Sequence, residues 1–168
     1  MDRVYWGIDL GGTKIEGAIL TSTEEPNPLC RIRIPTEAAR GYDHIIGQIH
    51  LLVDQMALET GMRPEAIGFA TPGVLDPRTQ TLKNSNTTCL SGRALKRDLE
   101  KGLGCQATLA NDANCFALSE ATDGAGSGAG TAIVCNGPCD TGTCIPASGC
   151  QTEAPGSDCD DGDVCTEL

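Results

Sequence analysis

The first residues able to do chemistry stand together in Asp9-Leu10-Gly11-Gly12-Thr13-Lys14. Two glycines leave backbone N–H groups unshielded, Thr13 adds a hydroxyl and Lys14 a point charge, so a polyphosphate can lie against the turn. Asp9, just before it, is a hard oxygen ligand suited to Mg2+, directly or through water. The plainer reading is a hairpin tip in which glycine supplies positive φ. Two other phosphate-binding patterns are absent: there is no G-x-x-x-x-G-K-[ST], and Gly124 to Gly130 do not spell G-x-G-x-x-G. A second candidate is Asn111-Asp112, at the start of an expected helix. Either residue can cap that helix. An aspartate there can also orient an attacking hydroxyl and accept its proton.

The elements that must position these groups are readable from pattern. Residues 3–12 and 14–21 alternate or run apolar around glycine, as paired strands joined by a short turn do. Cys30 to Ile34 alternate strictly and stop at Pro35. Ile45, Ile46, Ile49, Leu52, Val53 and Met56 share a helical face, and Gly61 is a stop signal. His44 and His50 fall in that helix, where packing or surface roles are expected. Residues 66–71 read as a buried strand closed by Pro72-Gly73, and Leu95, Leu99 and Leu103 repeat at helical spacing. A short strand at 107–110 leads into the helix at 111–124, and the small residues of 123–130 read as a connector before a strand at 131–134. The order is three strands, then helices and strands in alternation, which implies an α/β mixed sheet with flanking helices.

Composition narrows the partners. Residues 135–168 hold seven acids and no base, while the other 16 acids face 12 bases, so the tail carries −7 and the rest −4. No Lys or Arg follows Lys101 and no basic run exists, which argues against nucleic acid and anionic membrane as partners. No run of 18 apolar residues and no signal-peptide pattern is present, so a cytoplasmic protein is expected. Cysteine usage cuts across that expectation. Cys30, Cys89, Cys105 and Cys115 are scattered, whereas Cys135, Cys139, Cys144, Cys150, Cys159 and Cys165 crowd the tail. Such density belongs to disulfide-stapled modules.

Three stretches, the opening hairpin, ATPGVLDPRTQTLKNSNTTCLSG (70–92) and ANDANCFALSEATDGA (110–125), follow one another in the order of the ROK-family sugar kinases. The chain resembles most the bacterial fructokinase branch of that family, over Val4 to about Val134. The resemblance implies the actin-like ATPase (ribonuclease H-like) lobe and ATP-dependent phosphorylation of a hexose hydroxyl, with ATP and Mg2+ as cofactors and fructose as the favoured sugar. It assigns Asp9, Gly11, Gly12, Thr13 and Lys14 to the phosphates, with Asp9 toward Mg2+. Gly73, Asn86, Asn111 and Asp112 are assigned to the sugar, and Asp112 is also the catalytic base. One departure stands out: Cys89 follows Thr87-Thr88 where the fructokinase-like pattern places a tryptophan, so a large apolar contact near the sugar loop is missing. ROK repressors carry a helix-turn-helix ahead of the hairpin, and only six residues precede Gly7 here, so a kinase-type member is expected.

ROK kinases need a second lobe with another glycine-rich phosphate turn, an adenosine site and a Gly-His plus C-x-C-G-x-x-G-C-x-E zinc motif. None of these occurs in the 168 residues, and the family zinc site is therefore absent. The expectation is a lobe at 1–134, inactive alone, joined to a Cys-rich, acidic tail at 135–168 that is disordered or foreign sequence from a fusion or frameshift. A homodimer is left open. Two alternatives are a non-catalytic sugar- or nucleotide-binding fragment, and a disulfide-bonded interaction module acting through the tail.

Overall fold

A computed structural model of the chain describes residues 4–22, 27–122, 144–145 and 149–150. The chain divides into two compact units, Met1–Asn111 and Asp112–Leu168. The first holds β1 (Tyr5–Leu10), β2 (Lys14–Leu20), β3 (Pro28–Pro35), α1 (Tyr42–Thr60), β4 (Ala66–Thr71), β5 (Val74–Leu75), β6 (Leu82–Lys83), α2 (Leu95–Leu103) and β7 (Gln106–Asn111). Single 3-10 turns occupy Ala38–Arg40 and Thr88–Leu90. Of the second unit, α3 (Asp112–Thr122) and the two-residue strands β8 (Cys144–Ile145) and β9 (Gly149–Cys150) are described.

The sheet of the first unit runs β3-β2-β1-β4-β7. β1, β2 and β3 form the expected antiparallel meander, while β4 and β7 lie parallel to β1. Alternation decides which face is covered. Trp6, Ile8, Leu10, Ile15, Ile19, Ile67 and Phe69 form one buried cluster with Ile45, Ile49, Leu52, Val53 and Met56 of α1. Each such aliphatic side chain contributes on the order of 1.5–3 kcal/mol when fully buried. Ile46, expected on the same helical face, is only half-buried. Gly17 sits on the α1 side of β2, where a Cβ would run into the Met56 thioether. Gly61 and Gly104 end α1 and α2 in left-handed conformation (φ 70° and 67°), which glycine adopts without steric cost.

Register matters more for function. Asp9 pairs with Ala70, and Ala70 with Ala110, so three parallel strands finish together at one edge. That edge therefore carries Gly11-Gly12, Pro72-Gly73 and Asn111, the place where open α/β sheets bind ligands.

One feature differs from expectation. Residues 74–83, where no strand is expected, form the β5–β6 hairpin; two-residue strands are too short to show alternation. Asn111, a candidate cap, is the last residue of β7 and immediately precedes α3, and Asp112 starts the helix. In the tail, Cys144 pairs with Cys150 in a small antiparallel ladder. The connector at 123–130, the strand expected at 131–134, the boundary at Val134 and the rest of the tail lie outside the described residues.

Candidate functional site

The hairpin turn is held from inside and open outward. The Gly11 N–H donates to the Lys14 carbonyl (3.0 Å), closing a reversal over Gly12 and Thr13. Neither Gly11 nor Gly12 is left-handed, which corrects the plain hairpin reading: positive φ is not why glycine stands there. Room is the reason. A Cβ on Gly11 would lie 2.9 Å from the Lys14 carbonyl oxygen, and one on Gly12 would lie 3.3 Å from Thr87 Oγ1. Gly12, Thr13 and Lys14 are exposed. Among the described residues the Gly12 and Thr13 N–H groups have no hydrogen-bond partner and the Lys14 ammonium has no ion pair. Two free amides beside a lysine without an ion pair are the donor set that an anion would need.

The contact with Thr87 brings a second loop to the turn. Asn84 (φ 55°), Ser85, Asn86 and Thr87 leave β6, with Ser85 and Thr87 buried and Asn86 exposed between them. The Ser85 hydroxyl donates to the Thr87 carbonyl (3.1 Å). The Asn86 side chain has no hydrogen-bond partner among the described residues. Gly73 is buried beneath this loop: a Cβ there would come 2.7 Å from the Lys83 carbonyl oxygen and 3.2 Å from Ser85 Cβ. Its own carbonyl accepts from the Asn111 side-chain amide (3.4 Å) and from the Thr71 hydroxyl (3.2 Å). Asn111 is thus bonded to Gly73, and the Asn86 loop stands within one side-chain carbon's reach of both Gly12 and Gly73.

Asp112 follows Asn111 across one peptide bond and begins α3. It is exposed, and its carboxylate accepts from the Ala113 N–H (2.8 Å). Asp9 is exposed at the end of β1 and stands opposite Glu16 of β2. Glu16 is committed elsewhere. Burial pushes its pKa up, but hydrogen bonds and charge from Arg31 and Arg33 outweigh this and hold it below the usual carboxylate range. Among the described residues no group of three or more His, Cys, Asp or Glu gathers to hold a metal. A site with one carboxylate suits Mg2+ that keeps its waters and takes phosphate oxygens; Asp9 could supply that carboxylate, and the ion would neutralise phosphate charge.

Two residues that pattern reading passed over complete the arrangement. Thr36 is fully buried; its N–H donates to the Thr13 carbonyl (3.0 Å) and its hydroxyl to the Gly11 carbonyl (2.7 Å). Thr87 is buried, and its hydroxyl would stand 3.3 Å from a Cβ on Gly12. A threonine just after a strand-ending proline carries no signal of its own in a sequence.

A ROK family model matches residues 5–144. The chain belongs to the ROK family. It is 39% identical over 121 residues to an N-acetyl-D-glucosamine kinase of Aliivibrio salmonicida, covering 71% of this chain and 38% of that protein. A Vibrio cholerae N-acetyl-D-glucosamine kinase is 36% identical over the same span. Among solved structures, the ROK hexokinase from Thermus thermophilus matches at TM-score 0.59 and 31% identity, over 71% of this chain and 38% of that one. A ROK family glucokinase from Streptomyces griseus, in complex with glucose and AMPPNP, matches at TM-score 0.66 and 27% identity, over 79% of this chain and 40% of that one. The ROK chain described here spans 38% of the length of these N-acetyl-D-glucosamine kinases. Its mixed sheet with flanking helices is the actin-like ATPase lobe of ROK kinases. Among the described residues no helix is long and apolar enough to cross a membrane.

Proposed function

We propose that this lobe binds the phosphates of Mg-ATP and a hexose or hexosamine, for phosphoryl transfer to a sugar hydroxyl in a two-lobed ROK kinase. The observation that carries the reading is the Gly11–Lys14 turn, whose free amides and unpaired lysine lie against the loop bearing Asn86. Phosphoryl transfer asks mainly for in-line placement and neutralisation of charge. In this reading Asp9, Gly11, Gly12, Thr13 and Lys14 serve the nucleotide, with Asp9 toward Mg2+. Asn86 and Asn111 hold sugar hydroxyls, and Gly73 seats the Asn86 loop. Asp112 orients the attacking hydroxyl and takes its proton.

The N-acetyl-D-glucosamine kinases among the relatives make that hexosamine the first sugar to test; the fructose that the fructokinase-like motifs favour is the competing choice. Closing two lobes around the reactants places them and excludes water. We therefore assign the 168-residue chain negligible turnover by itself and a role as the binding half. The lobe is taken to end near Val134, with 135–168 sequence foreign to it; its six cysteines titrating as free thiols on unreduced protein would support this, and disulfides there would favour an interaction module. Calorimetry of the chain with Mg-AMPPNP, N-acetyl-D-glucosamine, glucose and fructose tests the reading. Saturable binding of the nucleotide and of one sugar supports it. Binding of neither removes it.

A further inference from the structure

We propose that Thr36 is the positioning residue of the phosphate turn. It fixes two peptide planes of the turn so that the Gly12 amide faces outward. This deepens the nucleotide reading and rests on it. Thr36 has no exposed surface, and its backbone N–H and its hydroxyl are both engaged with the turn, at Thr13 O and Gly11 O. In a trans peptide the C=O and the following N–H point in opposite directions. Holding the Gly11 carbonyl inward therefore aims the Gly12 N–H away from Thr36, where it meets no partner among the described residues. The bond to the Thr13 carbonyl fixes the Thr13–Lys14 plane in the same way.

The clamp is itself anchored. The Pro35 carbonyl accepts from the Gln48 side chain of α1 (2.8 Å). Glu37 is held in left-handed conformation (φ 50°), with its carboxylate bound to Arg40 (2.9 Å) and His44 (2.7 Å). Hydrogen bonds from Arg40 first and His44 next keep that carboxyl below its usual range. Residues 35–37 are thus pinned to the first turns of α1, whose inner face is the core. A turn with two glycines is otherwise the most freely moving kind of backbone. Thr36 connects it to the end of β3 and, through Gln48 and His44, to α1.

The test uses the full chain and three proteins: parent, Thr36→Val, which keeps the shape and the N–H but removes the hydroxyl, and Thr36→Ser, which restores it. In the parent, 15N order parameters at Gly12 and Thr13 should stand near the rigid-backbone value of about 0.85, and Thr36→Val should lower them toward about 0.6. Mg-AMPPNP binding should weaken about tenfold in Thr36→Val, the scale of one lost buried hydrogen bond, while sugar affinity stays within about twofold. Thr36→Ser should recover both. Parent order parameters already below about 0.6 overturn the proposal without any variant, which covers the case that Thr36→Val does not fold. Unchanged mobility in Thr36→Val overturns it, and so does an equal loss of nucleotide and sugar affinity. A parent that binds no Mg-AMPPNP overturns the nucleotide reading instead, while the order parameters still decide whether Thr36 holds the turn.

Discussion

Two hairpin tips of the first unit, Gly11–Lys14 between β1 and β2 and Asp76–Thr81 between β5 and β6, are both polar and both largely exposed. Their backbones are used in opposite ways. In the second tip the Asp76 carboxylate accepts from the N–H groups of Arg78 (2.8 Å) and Thr79 (3.3 Å). The Gln80 N–H reaches the Asp76 carbonyl (2.8 Å), the Asp76 N–H reaches Thr81 (2.9 Å), and the Gln80 side chain reaches Pro77 (2.9 Å). That tip binds the N–H groups of Asp76, Arg78, Thr79 and Gln80 within itself. In the first tip the inward groups are bound by Lys14 and Thr36, and the outward amides are left over. Exposure and polarity therefore do not mark a site. Two consecutive unpaired donors distinguish the first tip, and a ligand there would gain hydrogen bonds without displacing internal ones.

The largest effect should come from leaving both tips intact and removing the base. In a two-lobed enzyme carrying this lobe, Asp112→Asn should cut turnover by about 10²–10⁴-fold with sugar affinity nearly unchanged; steady-state kinetics showing equal turnover would take Asp112 out of the mechanism. Next, Gly73→Ala forces a Cβ against the Lys83 carbonyl oxygen, a backbone atom with little freedom to move. Overpacking of this kind costs about 1–3 kcal/mol. A chemical melt should show that loss, and calorimetry should show weaker sugar binding through the displaced Asn86 loop. An unperturbed melt would mean the loop is not seated on Gly73.

The smallest effect is a pH dependence that only the second tip should show. Backbone N–H groups of Arg78, first, and Thr79 lower the Asp76 pKa from its ordinary value of 3.8. A lowered folded-state pKa contributes stability above the unfolded value and loses it as pH falls through the folded one. Amide exchange at Arg78 and Thr79 should therefore quicken below about pH 4 relative to neighbours. The Gly11 amide, bound to a backbone carbonyl, should show no such step. Equal behaviour of the two tips would remove the distinction between them.

Much of the frame was legible because it follows periodicity. The α1 face through Ile45, Ile49, Leu52, Val53 and Met56 is buried as its spacing implies, and α1 ends at Gly61. The hairpin and its neighbours Gly73, Asn86 and Asn111 were legible through their resemblance to ROK kinases. What escaped was set by tertiary contact. The need for glycine at 73 comes from the Lys83 carbonyl of β6 closing in on it, and at 11 from the Lys14 carbonyl across the turn. Thr36 acquires its role from partners 23 and 25 positions earlier. The β5–β6 hairpin is closed by Asp76 rather than by strand length. Sugar identity was least legible, since Cys89 replaces the one bulky contact that would have narrowed it.

The most direct measurement is a 15N chemical-shift titration of the chain with Mg-AMPPNP. The Gly12 and Thr13 amides should shift most and saturate together with Lys14, while Arg78, Thr79 and Gln80 stay still. Saturable shifts confined to the second tip, or none at Gly12 and Thr13 at millimolar nucleotide, would contradict the claim that the first turn is the phosphate cradle.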